Sequence, residues 1–186
     1  MPLRWGGIGR GMHEAPSDPG ETLAPQDLQI RQARREDMPA IVRLLADDDL
    51  GKHRESVKDP LDQAYYDAFN RIGADPRNEL IVVERDGEVI GTLQLTYLVF
   101  LSHRGSMRAQ IESVRVDRRY RGRRVGTHLI QWAIERARQE GCSLVQLTTD
   151  ADRVGARRFY ERLGFTPSHV GMKLHLPDSR EPKEPC

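Results

Sequence analysis

The stretch IESVRVDRRYRGRRVGTHLI, residues 111–130, decides how the chain is read. Ile111, Val114 and Val116 are strand formers, whereas Val125, Leu129, Ala133 and Ile134 recur at helical spacing. The residues between them, Arg121, Gly122, Arg123, Arg124, Val125 and Gly126, with Thr127 behind them, therefore fall where a helix presents its first unpaired amides. Such a helix start attracts anions, because its free N–H groups and the positive end of its dipole point the same way. Glycines at 122 and 126 let a ligand approach the backbone closely. The segment predicts a strand, a phosphate-binding turn and an amphipathic helix, in that order.

Working outward, the preceding segments read as antiparallel. Leu80–Val83 and Val89–Leu95 flank Arg85-Asp86-Gly87-Glu88, and Asp-Gly between two strand-like runs is a strong hairpin signal. Met107–Val116 supplies the next strand, Leu144–Leu147 another, and Phe165–Leu176, with alternating Met172, Leu174 and Leu176, a last one. Helices are predicted over Met38–Leu45, about Leu61–Ile72, Gly122 to about Gln139, and from a cap at Asp152 to Leu163, where Gly164 closes it. The order β, α, α, β, β, β, α, β, α, β implies an α/β (α+β) fold, a mixed and mainly antiparallel central sheet flanked by helices. Residues 1–26 are expected as a flexible extension, 27–176 as the domain and 177–186 as a charged tail.

The 186 residues suit one domain, and a net charge of +1 supplies no global field favouring nucleic acid or membrane partners. No apolar run approaches a membrane span and no secretory signal pattern opens the chain. Cys142 and Cys186 make no disulfide framework, which fits a reducing cytoplasm, the expected location. No metal site is expected, since His103, His128, His169 and His175 are dispersed and lack ligand spacing with Cys or carboxylates. The cluster of Arg115, Arg118, Arg119, Arg121, Arg123 and Arg124 would also suit nucleic-acid phosphates, but aromatics do not interleave with it.

A glycine-rich strand-to-helix turn alone fits a mononucleotide, a dinucleotide or coenzyme A. The second motif, Ala156-Arg157-Arg158-Phe159-Tyr160-Glu161-Arg162-Leu163-Gly164-Phe165, lies on the next helix and its exit. Together the two segments resemble the GNAT superfamily of acyl-CoA-dependent N-acyltransferases. That family's turn reads Arg or Gln, two residues, Gly, one residue, then Gly or Ala; here Arg124 stands at the first of the two signature glycines. With Gly122 and Gly126 present, the turn is expected to serve with Arg124 at ordinary helical angles. A Rossmann reading fails, because antiparallel strands precede the turn and no acidic strand end follows about twenty residues later.

The resemblance implies acetyl-CoA as cosubstrate and an amine as acceptor, with homodimerisation. The pyrophosphate would lie on the amides of Arg121–Gly126, and the pantetheine would pair like an extra strand with Val114, Arg115 and Val116. The strand Leu144–Leu147 would splay away to admit it. Asp152, Arg153, Ala156 and Phe159 would line the cofactor arm, with Arg153 standing where the family often has Asn. Acyl transfer needs a neutral amine, an oxyanion donor and a proton for the departing thiolate. The resemblance points to Glu112 as base and places Tyr160 near the sulfur; a phenol of pKa about 10 can protonate a thiolate of pKa about 8.5. The backbone N–H of Val114 or Val116 would meet the oxyanion. Asp47, Asp48, Asp49 and Glu55, with the loop at Phe100–Arg108, would line the acceptor groove. The expected function is an N-acetyltransferase acting on a primary amine, probed against a rival of another class, a non-catalytic acyl-CoA sensor on the same fold.

Overall fold

Asp86 and Gly87 take φ of 51° and 80°, the positive pair that a two-residue hairpin turn requires. Around them β2 (Asn78–Arg85) and β3 (Glu88–Val99) pair antiparallel in the computed structural model, which describes residues 22–47, 54–174 and 176. β1 (Gln29–Gln32) joins the free side of β2, and β4 (Met107–Val116) joins β3, both antiparallel. β5 (Leu144–Leu147) then pairs parallel with β4, so the sheet runs β1-β2-β3-β4-β5. This is the mixed, mainly antiparallel sheet expected from the sequence.

Strand alternation divides the core between two faces. Ile81, Val83, Leu93 and Leu95 meet Val125, Leu129, Ile130, Ala133 and Ala137 of α4 (Val125–Gln139) in one cluster. Val82 faces the other way, against Met38, Ile41 and Val42 of α1 (Met38–Ala46), with Tyr65 and Phe69 of α2 (Gln63–Ala74) alongside. Pro39 sits in the first turn of α1, where its missing N–H is not needed. The Asp62 side chain accepts from the Ala64 amide at 2.9 Å and caps α2. A single turn, α3 (Ser102–Gly105), closes the β3–β4 connection with His103, Arg104 and Gly105 all at positive φ. α5 (Val154–Arg162) lays Phe159 and Tyr160 on the α4 side of the sheet.

Ion pairs fasten the α1 face. Arg31 bridges Asp37 at 2.7 Å and Glu84 at 2.6 Å, tying β1, the entry to α1 and β2 together. Burial pushes the Asp37 carboxyl up, but hydrogen bonds from Arg31 and the Arg34 amide, with the charge of Arg31, outweigh it and leave Asp37 below the usual carboxylate range.

Four expectations about the elements are corrected. Residues 165–174 form no strand; Val170, Met172, Leu174 and Leu176 alternate as a strand would, yet are 92, 93, 87 and 79% exposed. Alternation specifies a face but not a partner, and no described strand pairs with the outer edge of β5. The boundary at residue 26 is too late, because Leu23 is 2% exposed and packs into the α4-side core. α4 begins at Val125 rather than Gly122, residues 121–124 being turn. Asp152 does not cap α5: Arg153 holds the cap position, with no side-chain cap bond. Residues 1–21, Asp48, Asp49, His175 and 177–186 lie outside the described residues.

Candidate active site

β4 changes parity along its length. Ala109 and Ile111 are buried at odd positions, whereas Val114 and Val116 pack against the same core from even ones. An inserted residue accounts for the switch: Gln94 pairs with Glu112 and Thr92 with Arg115, so two residues of β4, Ser113 and Val114, oppose Leu93 alone. Ser113 has φ 56°, and neither it nor Val114 has a partner in the register. Such a bulge interrupts the ladder and re-aims the strand. The signal in the sequence is the shift from odd to even apolar positions, which a uniform strand over Met107–Val116 overlooks.

Pairing of β4 with β5 ends at Ile111–Leu147. From Glu112 onward β4 has no described strand neighbour on that side, because β5 ends at Leu147. Arg115 Nη1 donates to the Val114 carbonyl at 2.9 Å. At the far end, Asp117 accepts from the Arg119 amide at 2.8 Å and starts a single 3-10 turn, Arg118–Tyr120, that anchors buried Tyr120.

The turn that follows is built from alternating backbone signs. Gly122 has φ 79° and Arg124 φ 66°, on either side of Arg123, whose φ is not positive. Alternation of this kind can fold N–H groups into a concavity that fits an anion; the Arg121 and Arg123 amides donate to the Arg118 and Tyr120 carbonyls at 3.4 Å, so the concavity draws on the other amides of the turn and the first amides of α4. Arg124 is therefore left-handed and not helical as expected. A non-glycine residue held there costs about 1–2 kcal/mol, and such strain collects where surrounding structure over-determines the backbone. Val125 at 1% and Arg123 at 4% exposure are the buried pegs of the turn, while Arg124 points into solvent.

Arg121 is already engaged. Its Nε donates to the Val116 carbonyl at 3.1 Å and its Nη2 to the Asp47 carbonyl at 3.0 Å, with the Asp47 carboxylate at 3.3 Å. Arg118 also pairs with Asp47. Asp47, expected to face the acceptor, instead ties the end of α1 to the turn. Arg119 pairs with Glu88 and Asp117.

The second motif closes on the first. A Cβ at Gly126 would lie 3.4 Å from the Phe159 ring and 3.7 Å from Val116, so α5 abuts the start of α4. Phe159 meets Tyr160 edge-on at 5.1 Å, and Tyr160 meets Phe165 at 5.8 Å. Burial pushes the Tyr160 phenol above its ordinary value; the charges of Arg153 and Arg115 pull it down and that of Glu112 pushes it up, leaving it raised. Four of the predicted side chains thus share one electrostatic environment. Glu112 is exposed and its carboxylate accepts from Gln110 Nε2 at 2.8 Å, while Gln110 accepts from Gln146 of β5 at 2.8 Å. Ala156 is half-buried; Asp152 and Arg153 are exposed in the loop, where the Asp152 amide donates to Asp150 Oδ1 at 3.1 Å. Thr127 is half-buried in the first turn of α4.

In the segment expected to line the acceptor groove, Tyr65 donates its hydroxyl to Glu55 at 2.8 Å and accepts from the Ser56 amide at 2.9 Å. Arg108 stacks over Phe100 at 4.5 Å. A cleft of about 660 Å³ lies elsewhere, between α1, the β2–β3 turn and Asp117–Arg119, and neither Glu112 nor Tyr160 lines it. Among the described residues no group of His, Cys, Asp and Glu is arranged to hold a metal ion, and no helix is long and apolar enough to cross a membrane.

With this geometry in hand, comparison with known proteins is decisive. A sequence model of the acetyltransferase (GNAT) family matches residues 31–165. The chain belongs to the GNAT acetyltransferase family. It is 34% identical over 142 residues to an aminoalkylphosphonate N-acetyltransferase of Salmonella typhimurium, covering 76% of this chain and 86% of that protein. A crystal structure described as a transcriptional regulator from Bacillus halodurans C-125 is 48% identical, with a TM-score of 0.78 over 80% of this chain and 99% of that one. An acetyltransferase from Clostridium acetobutylicum, solved with acetyl-CoA, shares the fold at 16% identity, with a TM-score of 0.63 over 80% of this chain and 96% of that one. This GNAT chain is an acyltransferase, and its family supports acetyl transfer from acetyl-CoA to an amine.

Proposed function

We propose that the protein transfers acetyl from acetyl-CoA to the primary amine of a small molecule, by direct attack in a ternary complex. The observation that carries this reading is the end of β4: its pairing with β5 stops at Ile111, it bulges at Ser113–Val114, and it runs into the anion-binding turn. A pantetheine arm laid along Val114–Val116 would bring the thioester to the bulge, and its phosphates to Arg121–Gly126. Val114, which has no partner in the register, and Val116, whose carbonyl faces away from β3 toward Arg121, are the candidate oxyanion donors.

Glu112, on the strand just before the bulge and exposed, would take the amine's proton, directly or through water. Tyr160, with its phenol pushed up, stays protonated at neutral pH and can supply the thiolate's proton. The thioester C–S bond breaks, the new amide C–N bond forms, and coenzyme A leaves as the thiol. Cys142 is half-buried in the connection from α4 to β5 and burial pushes its thiol up, the opposite of what an acyl-enzyme nucleophile needs.

The Salmonella relative's name supports an aminoalkyl acceptor. The expected location is the cytoplasm, and the assembly a homodimer. The test is acetyl-CoA turnover against aminoalkylphosphonates, amino acids, polyamines, aminoglycosides and peptide N-termini. Turnover with one class supports the enzyme; coenzyme A binding with no acceptor turned over would replace it with an acyl-CoA sensor.

A further inference from the structure

Leu23 touches the cofactor turn at two points. Its N–H donates to the Arg123 carbonyl at 3.2 Å, and its own carbonyl lies 3.1 Å from Nε2 of His128. A carbonyl only accepts, so His128 carries its proton on Nε2. His128 is in turn fixed in the first turn of α4, where its N–H donates to the Arg124 carbonyl at 3.0 Å. The Leu23 side chain is buried in the α4-side core, which prevents the segment from lifting away. Left-handed Arg124 lies between the two tethered points.

We propose that Leu23 and His128 form a clasp that positions the phosphate turn, so that the segment upstream of β1 takes part in acetyl-CoA capture. The inference rests on the reading of residues 121–126 as the coenzyme A turn. Glycine enters the left-handed region freely, whereas arginine has to be held there. The clasp supplies that hold. It closes the turn from the side of Arg123 and from the side of α4. His128 and Leu23 act through the turn and are positioning residues, with no contact to the reacting atoms implied.

The experiment compares full-length wild type, His128→Ala, His128→Gln, Arg124→Gly and the double variant His128→Ala/Arg124→Gly. Coenzyme A affinity is read by calorimetry, and backbone exchange of the 121–130 peptide by mass spectrometry without ligand. His128→Ala is expected to weaken coenzyme A binding about five-fold, the ratio set by one hydrogen bond, and to speed exchange in that peptide. In turnover the change falls on KM for acetyl-CoA, with kcat kept. Gln presents an amide N–H to the same carbonyl, so His128→Gln restores most of the affinity. In the Arg124→Gly background the His128→Ala effect shrinks below two-fold. Equal affinity and exchange in wild type and His128→Ala overturn the clasp, as does a full five-fold loss persisting in the Arg124→Gly background. If wild type binds no coenzyme A, the cofactor reading falls instead, and the exchange data still decide whether the clasp exists.

Discussion

The two ends of the site are made of different materials. The proposed cofactor end is backbone, held by buried pegs, Leu23, Tyr120, Arg123 and Val125, with positive φ angles at Gly122 and Arg124. The proposed acceptor end consists of side chains on loops, with Glu55 held by Tyr65 and Phe100 under Arg108. A backbone site recognises what every reaction of this family shares, whereas side chains on loops change without disturbing the sheet. The difference teaches where to look for specificity: at the loops, and not at the turn.

That contrast can be broken or sharpened by substitution. The largest effect is expected at the point where the two ends meet: Tyr160→Phe should lower kcat about 100-fold, the scale of a lost general acid, with coenzyme A affinity unchanged. Because Tyr160 acts protonated and its phenol is raised, the same argument puts the alkaline loss of activity above pH 10, and Tyr160→Phe should erase that limb from the pH–rate profile. Glu112→Gln should lower kcat about ten-fold at neutral pH, below the usual range for a lost base because water can substitute, measured at saturating acetyl-CoA. Gly122→Ala, forced to φ 79°, should lose about 1 kcal/mol and bind coenzyme A roughly five-fold more weakly by calorimetry. The smallest change belongs to the acceptor end: Glu55→Gln should shift KM for the amine about two- to three-fold, and leave that for acetyl-CoA unaltered. If Glu55→Gln moved the acetyl-CoA value and Gly122→Ala the amine value, the division of the site would be wrong.

Much of this architecture is legible in the amino-acid sequence. Asp86-Gly87 announces the hairpin, and Val125, Leu129 and Ala133 announce α4, because those signals are local and their physics is short-range. Arg124 is legible as an oddity but not as a left-handed residue, since its angle is set by what surrounds the turn. Leu23 carries no signal: one leucine in a glycine- and proline-rich segment becomes core only when α4 and β3 provide the cavity. Asp47 likewise reads as one of an acidic run until the fold brings Arg118 and Arg121 against it. Val170–Leu176 shows the opposite failure, a clear strand pattern whose partner is not found among the described residues.

The extra residue in β4 also bears on which lengths of this strand are viable. Removing Ser113 would make β4 a uniform ladder with β3, with Val114 opposite Leu93 and Val116 still opposite Gly91. Both would stay on the core face with Ala109 and Ile111, so the deletion would cost the bulge and not the core. The extra residue therefore serves the kink rather than the packing, and a chain that lost it is expected to keep the sheet while losing the re-aimed backbone beside the proposed thioester site.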